Sequence, residues 1–143
     1  MAKSNVFENA LLNLIFKGIP IPTLADNAAS SPLTELYVRL HVADPGEAGN
    51  QSTNETTYQG YLGAVAVARG AGWVVVDNAV NPAADVLFPA CTGGAQQVIT
   101  HWSVGFAATG ASNVMYRGPV TPNIIVVNGV RPFLTPGTTV TES

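Results

Sequence analysis

The chain has 143 residues, with 6 Lys and Arg against 9 Asp and Glu, for a formal net charge of −3; 47% of it is hydrophobic and only 10% charged. That length suits one domain, 1–143, with a core of its own, and the apolar content excludes disorder as a global description. The basic residues Lys3, Lys17, Arg39, Arg69, Arg117 and Arg131 are scattered, so the concentrated positive footprint of a nucleic-acid partner is missing.

An average soluble protein is roughly 25% charged. A surface so poor in charge must be built from Ser, Thr, Asn, Gly and apolar side chains. It fits either a Thr- and Asn-rich β-sandwich exterior or a face that meets another protein. No stretch approaches the roughly 18 apolar residues of a membrane span. Asn5, Glu8, Asn9 and Asn13 interrupt any early apolar run, so no signal peptide is expected and synthesis is cytoplasmic.

Residues 4–17 read as one helix. Ser4 is the N-cap, Glu8 lies in the early turns, and Gly18 follows as the C′ residue. Phe7, Ala10, Leu11, Leu14 and Ile15 recur at the spacing of one apolar face, which is expected to dock on the chain's own sheet or on a neighbouring subunit. Residues 19–34 read as a surface connection.

The strongest pattern is Glu35–Val42, where Leu36, Val38, Leu40 and Val42 alternate with Tyr37, Arg39 and His41. It predicts a half-buried strand, ended by Asp44-Pro45-Gly46. The polar stretch 43–57 is longer than ordinary connections, and such loops are often functional or mobile.

Short strands follow over Leu62–Arg69, Trp73–Asp77 and Val86–Phe88, with Asn78–Asp85 as a loop. The run of apolar residues in Trp73–Asp77 suggests burial on both faces. Val98–Phe106 places Val98, Trp102, Val104 and Phe106 on one face and Ile99, His101 and Ser103 on the other. Val114–Arg117 and Ile124–Val127 read as separate strands, and Asn128-Gly129 predicts a hairpin to Val130–Leu134. Thr138–Thr141 closes the chain. The total is an all-β fold: a β-sandwich or jelly roll of about 7–9 short strands from about residue 35 onward, with one N-terminal helix.

Few residues point to chemistry. His41 and His101 are each set against their strand's apolar face, hence outward, and no ligand set accompanies them. Cys91 reads as a small semi-buried residue at a strand end. Asp44 and Glu47 are three apart, but the fuller calcium-loop spacing is missing, and an Asx-type turn explains them. Trp73 and Trp102 read as core residues. Nucleophile elbows, phosphate loops and zinc-protease motifs do not occur. No catalytic residue, cofactor or metal is expected.

A resemblance carries further. Ser4–Leu12, Leu36–Gly49, Tyr58–Tyr61, Gly72-Trp73, Phe88–Gly94, Thr100–Gly105 and the Thr-Val ending resemble a family of small bacteriophage virion structural proteins, often labelled tail fibre-like. The resemblance implies a non-enzymatic virion component, made in the host cytoplasm and assembled with other virion proteins, as a homo-oligomer. Two placements compete. A capsid decoration or cement protein, bound to the major capsid protein, is favoured by the low charge and the lack of a shaft segment; a tail, baseplate or fibre component is the alternative. A jelly-roll carbohydrate-binding module is a third reading, with Tyr37, Tyr58, Tyr61 and Tyr116 as its aromatics. Phe7 and Leu11 on the helix, and Asp44, Glu47, Asn50 and Asn54 in the 43–57 loop, are the candidate contact residues.

Overall fold

The structure, a computed structural model, describes residues 3–21, 24 and 32–142. Much of the connection expected over 19–34 therefore lies outside the described residues.

Helix α1 (Asn5–Leu12) continues into a π-helical turn over Asn13–Lys17. The Ser4 hydroxyl accepts from the Phe7 amide, and Gly18 ends the element in the left-handed conformation at φ 69°, which glycine adopts without a Cβ penalty. The buried face is Glu8, Leu12 and Phe16, displaced from the expected face centred on Phe7 and Leu11. An i, i+4, i+8 row is an equally good helical stripe, and the wider π turn moves Phe16 into the core. There the Phe16 ring meets Trp73 edge-on at 4.7 Å and Tyr116 at 5.6 Å. Arg69 fixes the end of the helix: its Nε donates to the Ile15 carbonyl at 2.7 Å and its Nη2 to that of Leu14.

Nine strands follow among the described residues, all paired antiparallel. The main sheet has the order β2-β1-β6-β7, from β1 (Glu35–His41), β2 (Val65–Ala68), β6 (Gln97–Gly105) and β7 (Val114–Val126). A second sheet, β3-β4-β9, joins β3 (Trp73–Val76), β4 (Ala79–Pro82) and β9 (Val140–Thr141). The third pairs β5 (Val86–Leu87) with β8 (Phe133–Leu134). The mostly β architecture with one short N-terminal helix is the one expected.

β1 sets the register of the core. Val38 lies opposite Val104 and Leu40 opposite Trp102, and these pairs join Leu36, Phe88 and Ile99 in one buried cluster. Ile99 reaches that face because the β6–β7 register shifts between Ile99 and His101. A bulge there resets the alternation, so Ile99 shares a face with Trp102 and Val104, against expectation. Phe106 lies beyond the strand end and is exposed. Opposite the same shift, β7 carries extra residues between Pro119 and Ile124, and the two short strands expected here are one long one.

Three further expectations are corrected. Ala79–Pro82 is a strand, joined to β3 through Asp77 and Asn78, with Asp77 at φ 51°. Pro82 is tolerated because it faces Trp73 between the bonded positions of the ladder, where no N–H toward β3 is required. β3 is buried on one side only: Trp73 is in the core, whereas Val74 and Val76 are exposed. Asn128-Gly129 does turn the chain, with the Val130 amide on the Val127 carbonyl at 2.9 Å, but the following segment lies along 86–91 instead of 124–127. Phe88 N–H donates to Pro132 O and Cys91 N–H to Val130 O, at 3.0 and 2.8 Å.

The helix shields the outer edge of β3. Trp73 and Asp77 turn their carbonyls away from β4; Lys17 Nζ reaches the first at 3.4 Å and Asn9 Nδ2 the second at 2.6 Å. From Asn9 to Lys17 is about 12 Å of helix and from Trp73 to Asp77 about 13 Å of strand, so the two run side by side.

Candidate functional site

The side of β1 that faces away from the core carries Tyr37, Arg39 and His41. The corresponding side of β6 carries their partners Gly105, Ser103 and His101. The sequence pattern sends this face to water. Instead the 43–57 loop folds back over it, so Arg39 is 3% exposed and His41 and Ser103 are fully buried. β1 is thus covered on both faces, and His41 is not an outer-face residue.

The loop's polar side chains make this burial possible. Buried polar groups need partners, and most of those here have them, with Arg39 Nε and Gln51 Oε1 as the exceptions. Arg39 Nη1 pairs with Glu55 Oε2 at 2.9 Å, and Nη2 donates to the Ala108 carbonyl at 3.2 Å. Tyr61 O–H donates to the other Glu55 oxygen at 3.0 Å, and burial together with Glu55 raises the Tyr61 pKa strongly. Gln51 Nε2 donates to Tyr37 O at 3.1 Å, and its carboxamide lies on Gly105, where a Cβ would come within 2.3 Å. The loop is also stitched to 108–113: Gln51 N–H donates to Ser112 O at 2.8 Å and Ser52 Oγ to Gly110 O at 3.2 Å.

The expected contact residues fall on two elements. Asp44, Glu47, Asn50 and Asn54 share the loop, Phe7 and Leu11 the helix. Asp44 accepts from the Gly46 amide at 2.8 Å, the expected Asx-type turn, and pairs with Arg117 at 3.3 Å. That backbone bond, with Arg117 adding to it, holds the Asp44 carboxyl below its usual range. Asn54, at φ 54°, donates to the Asp44 carbonyl at 2.9 Å, and Asn50 Oδ1 accepts from the Ser52 amide at 2.9 Å. Asn50 and Asn54 therefore build the loop's turns. Glu47 is exposed and Phe7 is 37% exposed, while Leu11 is half-buried.

All four tyrosines considered for a sugar platform donate their hydroxyls within the protein, Tyr37 to Glu35 at 3.3 Å on the surface. Tyr58 donates to Pro89 O at 2.7 Å, Tyr61 to Glu55, and Tyr116 to Glu142. Burial and the nearby Cys91 push the Tyr58 pKa up to about 12. Cys91 is buried, with its thiol donating to Gly93 O at 3.2 Å, and both tryptophans are core residues. Among the described residues no three His, Cys, Asp or Glu side chains gather as a metal set.

The sequence did not flag an open groove of about 810 Å³. Its walls are the Gly118–Ile125 part of β7 and the Val130–Thr139 segment, with Trp102 at its floor. Its one sequence signal is the density of Gly and Pro at 118, 119, 122, 132 and 137, which reads locally as strand ends and turns.

The fold and these surfaces define a small antiparallel β protein whose polar loop serves to close its own core. The chain belongs to the family described as Podophage GP4 fiber I protein gp80, whose model matches residues 2–141. It is accordingly a small phage virion structural protein of the fibre-like kind, as the resemblance implied. No curated protein matches the chain. No helix among the described residues is long and apolar enough to cross a membrane.

Proposed function

We propose that the chain is a non-enzymatic component of a virion fibre, held in the particle through contacts with other virion proteins and with copies of itself. The family's description as a fibre protein carries this reading and favours it over the capsid-decoration placement. The surface is consistent with it. Val74 and Val76 stand out from β3, Ile125 and Val127 from the end of β7, and Leu87 and Phe133 form an exposed cross-strand pair. Apolar side chains at sheet edges suit protein contact. The buried Arg39 and the half-buried Glu55 and Tyr61 are engaged with one another, which is a structural use of charge.

The test is cryo-electron microscopy of virions in which the chain carries a small C-terminal tag bound by a Fab. Extra density on fibres at the tail is the expected result. Density repeated over the capsid lattice would replace the fibre reading with the decoration one.

A further inference from the structure

We propose that the groove between β7 and the 130–139 segment is a binding site for an acidic saccharide. The proposal does not depend on where the chain sits in the virion.

Charge comes first. Among the described residues, Lys17 and Arg69 are committed to backbone carbonyls, Arg39 and Arg117 to carboxylates, and Lys3 to Glu142. Arg131 alone has neither an ion pair nor a hydrogen bond. It lines the groove, and no carboxylate does. A free guanidinium in an open site without counter-charge selects an anionic group, which it holds with two parallel N–H donors.

The floor supplies a second signal. Trp102 is 4% exposed, and its Nε1–H donates to no protein group. An indole N–H that has no acceptor in the protein and is not sealed in the core is open to solvent or to a ligand. This one lies beneath Gly118, where an added Cβ would be 3.2 Å from Nε1. Gly118 itself lines the groove. Glycine here leaves the donor open to an incoming acceptor, and any side chain would close over it.

The walls decide between a saccharide and a polypeptide strand. A strand added to the β7 edge would draw on its backbone N–H groups. Pro119 and Pro122 interrupt that row of donors within the groove. What the walls offer instead are side-chain groups, the Thr121 and Thr138 hydroxyls and the Asn123 carboxamide, with no partner in the protein. Phe133, 46% exposed, and the proline rings add apolar surface. Hydroxyl and amide groups set around flat apolar surface match a sugar, which has hydroxyls at its rim and C–H groups on its faces. The volume lies within the roughly 300–1,000 Å³ of ligand sites.

The test titrates the purified full chain against hexasaccharides of a hexuronic acid and of a neutral hexose, followed by tryptophan emission. An array of hexuronates, nonulosonates and phosphorylated sugars runs in parallel. The expected result is saturable binding of at least one acidic sugar in preference to its neutral counterpart. Arg131→Ala, at an exposed position, should weaken it about tenfold or more without moving the melting temperature, in line with loss of a charge-assisted hydrogen bond. Gly118→Ala should weaken it and abolish the emission change. Four results would overturn the proposal: no acidic sugar bound, equal binding of neutral sugars, undiminished binding by Arg131→Glu, or binding of an acidic peptide alone.

Discussion

His41 Nε2 lies 2.7 Å from Ser103 Oγ, and His41 Nδ1 lies 2.9 Å from the Thr53 carbonyl. A carbonyl only accepts, so Nδ1 carries the proton and Nε2 accepts from the serine hydroxyl. The ring is a neutral donor–acceptor link between β1, β6 and the loop. Burial lowers its pKa from the ordinary 6.5; the Thr53 carbonyl opposes this, Arg39 and His101 add to the lowering, and Asp44 opposes it weakly.

A base with a depressed folded-state pKa is protonated more readily when unfolded. Its contribution is complete above the unfolded value near 6.5 and is lost as pH falls through the folded one. Thermal stability should therefore fall between pH 7.5 and pH 5 at constant ionic strength. His41→Gln should flatten that part of the profile while lowering its plateau. Scanning calorimetry across the range checks both, and a wild-type slope retained in the variant would assign the titration to another group.

Gly105 holds the loop down by what it lacks. Gln51 occupies the place of a side chain, with its carboxamide 2.3 to 2.7 Å from where a Cβ would stand. Gly105→Ala should cost about 1–3 kcal/mol by overpacking. It should also raise the rate of proteolytic cleavage within 43–57, since a displaced Gln51 gives up its bond to Tyr37 O. Urea melts with limited proteolysis measure both, and unchanged cleavage would mean that the loop is held elsewhere.

The core face of β1 is legible because alternation reports one face directly, and Leu36, Val38 and Leu40 are buried as their spacing requires. What covers the other face is not. The 43–57 segment reads as a solvated loop by composition, yet its Glu55 carboxylate and Thr53 carbonyl are what meet the buried Arg39 and His41. The helix was legible in its ends and not in its face, since Leu12 and Phe16 fit the period as well as Phe7 and Leu11. Asn128-Gly129 marks a turn but not the strand that receives the chain after it. The groove arises where β7 and the 130–139 segment diverge, which no local spacing encodes.

Leu40 is fully buried, opposite Trp102 and next to Arg39 and His41 in sequence. Leu40→Asp would set a carboxylate among Val38, Trp102 and Phe88 with no partner on that face. The loss should exceed about 4 kcal/mol, the range of buried unpaired charges, and leave the chain unfolded or insoluble. Leu40→Met, close in volume, should cost less than about 1.5 kcal/mol. Near-UV circular dichroism of the pair separates loss of the core from a general intolerance at this position.

The last prediction concerns the shielded edge of β3. An exposed, flat apolar edge strand is a template for pairing with another chain. Val74-Val75-Val76 has that character, and Val74 and Val76 are already exposed on its outer face. Asn9 and Lys17 occupy the carbonyls at its two ends. Asn9→Ala with Lys17→Ala should cost only about 1–2 kcal/mol, as two hydrogen bonds are lost near the surface. It should nevertheless raise self-association sharply, because the freed edge can pair antiparallel with its own copy. Sedimentation velocity over a concentration series reads this directly. Adding Val75→Pro, which removes the one outward N–H in the middle of the strand, should return the double variant to the parent's behaviour. If association persists in the triple variant, the copies are joining through another surface.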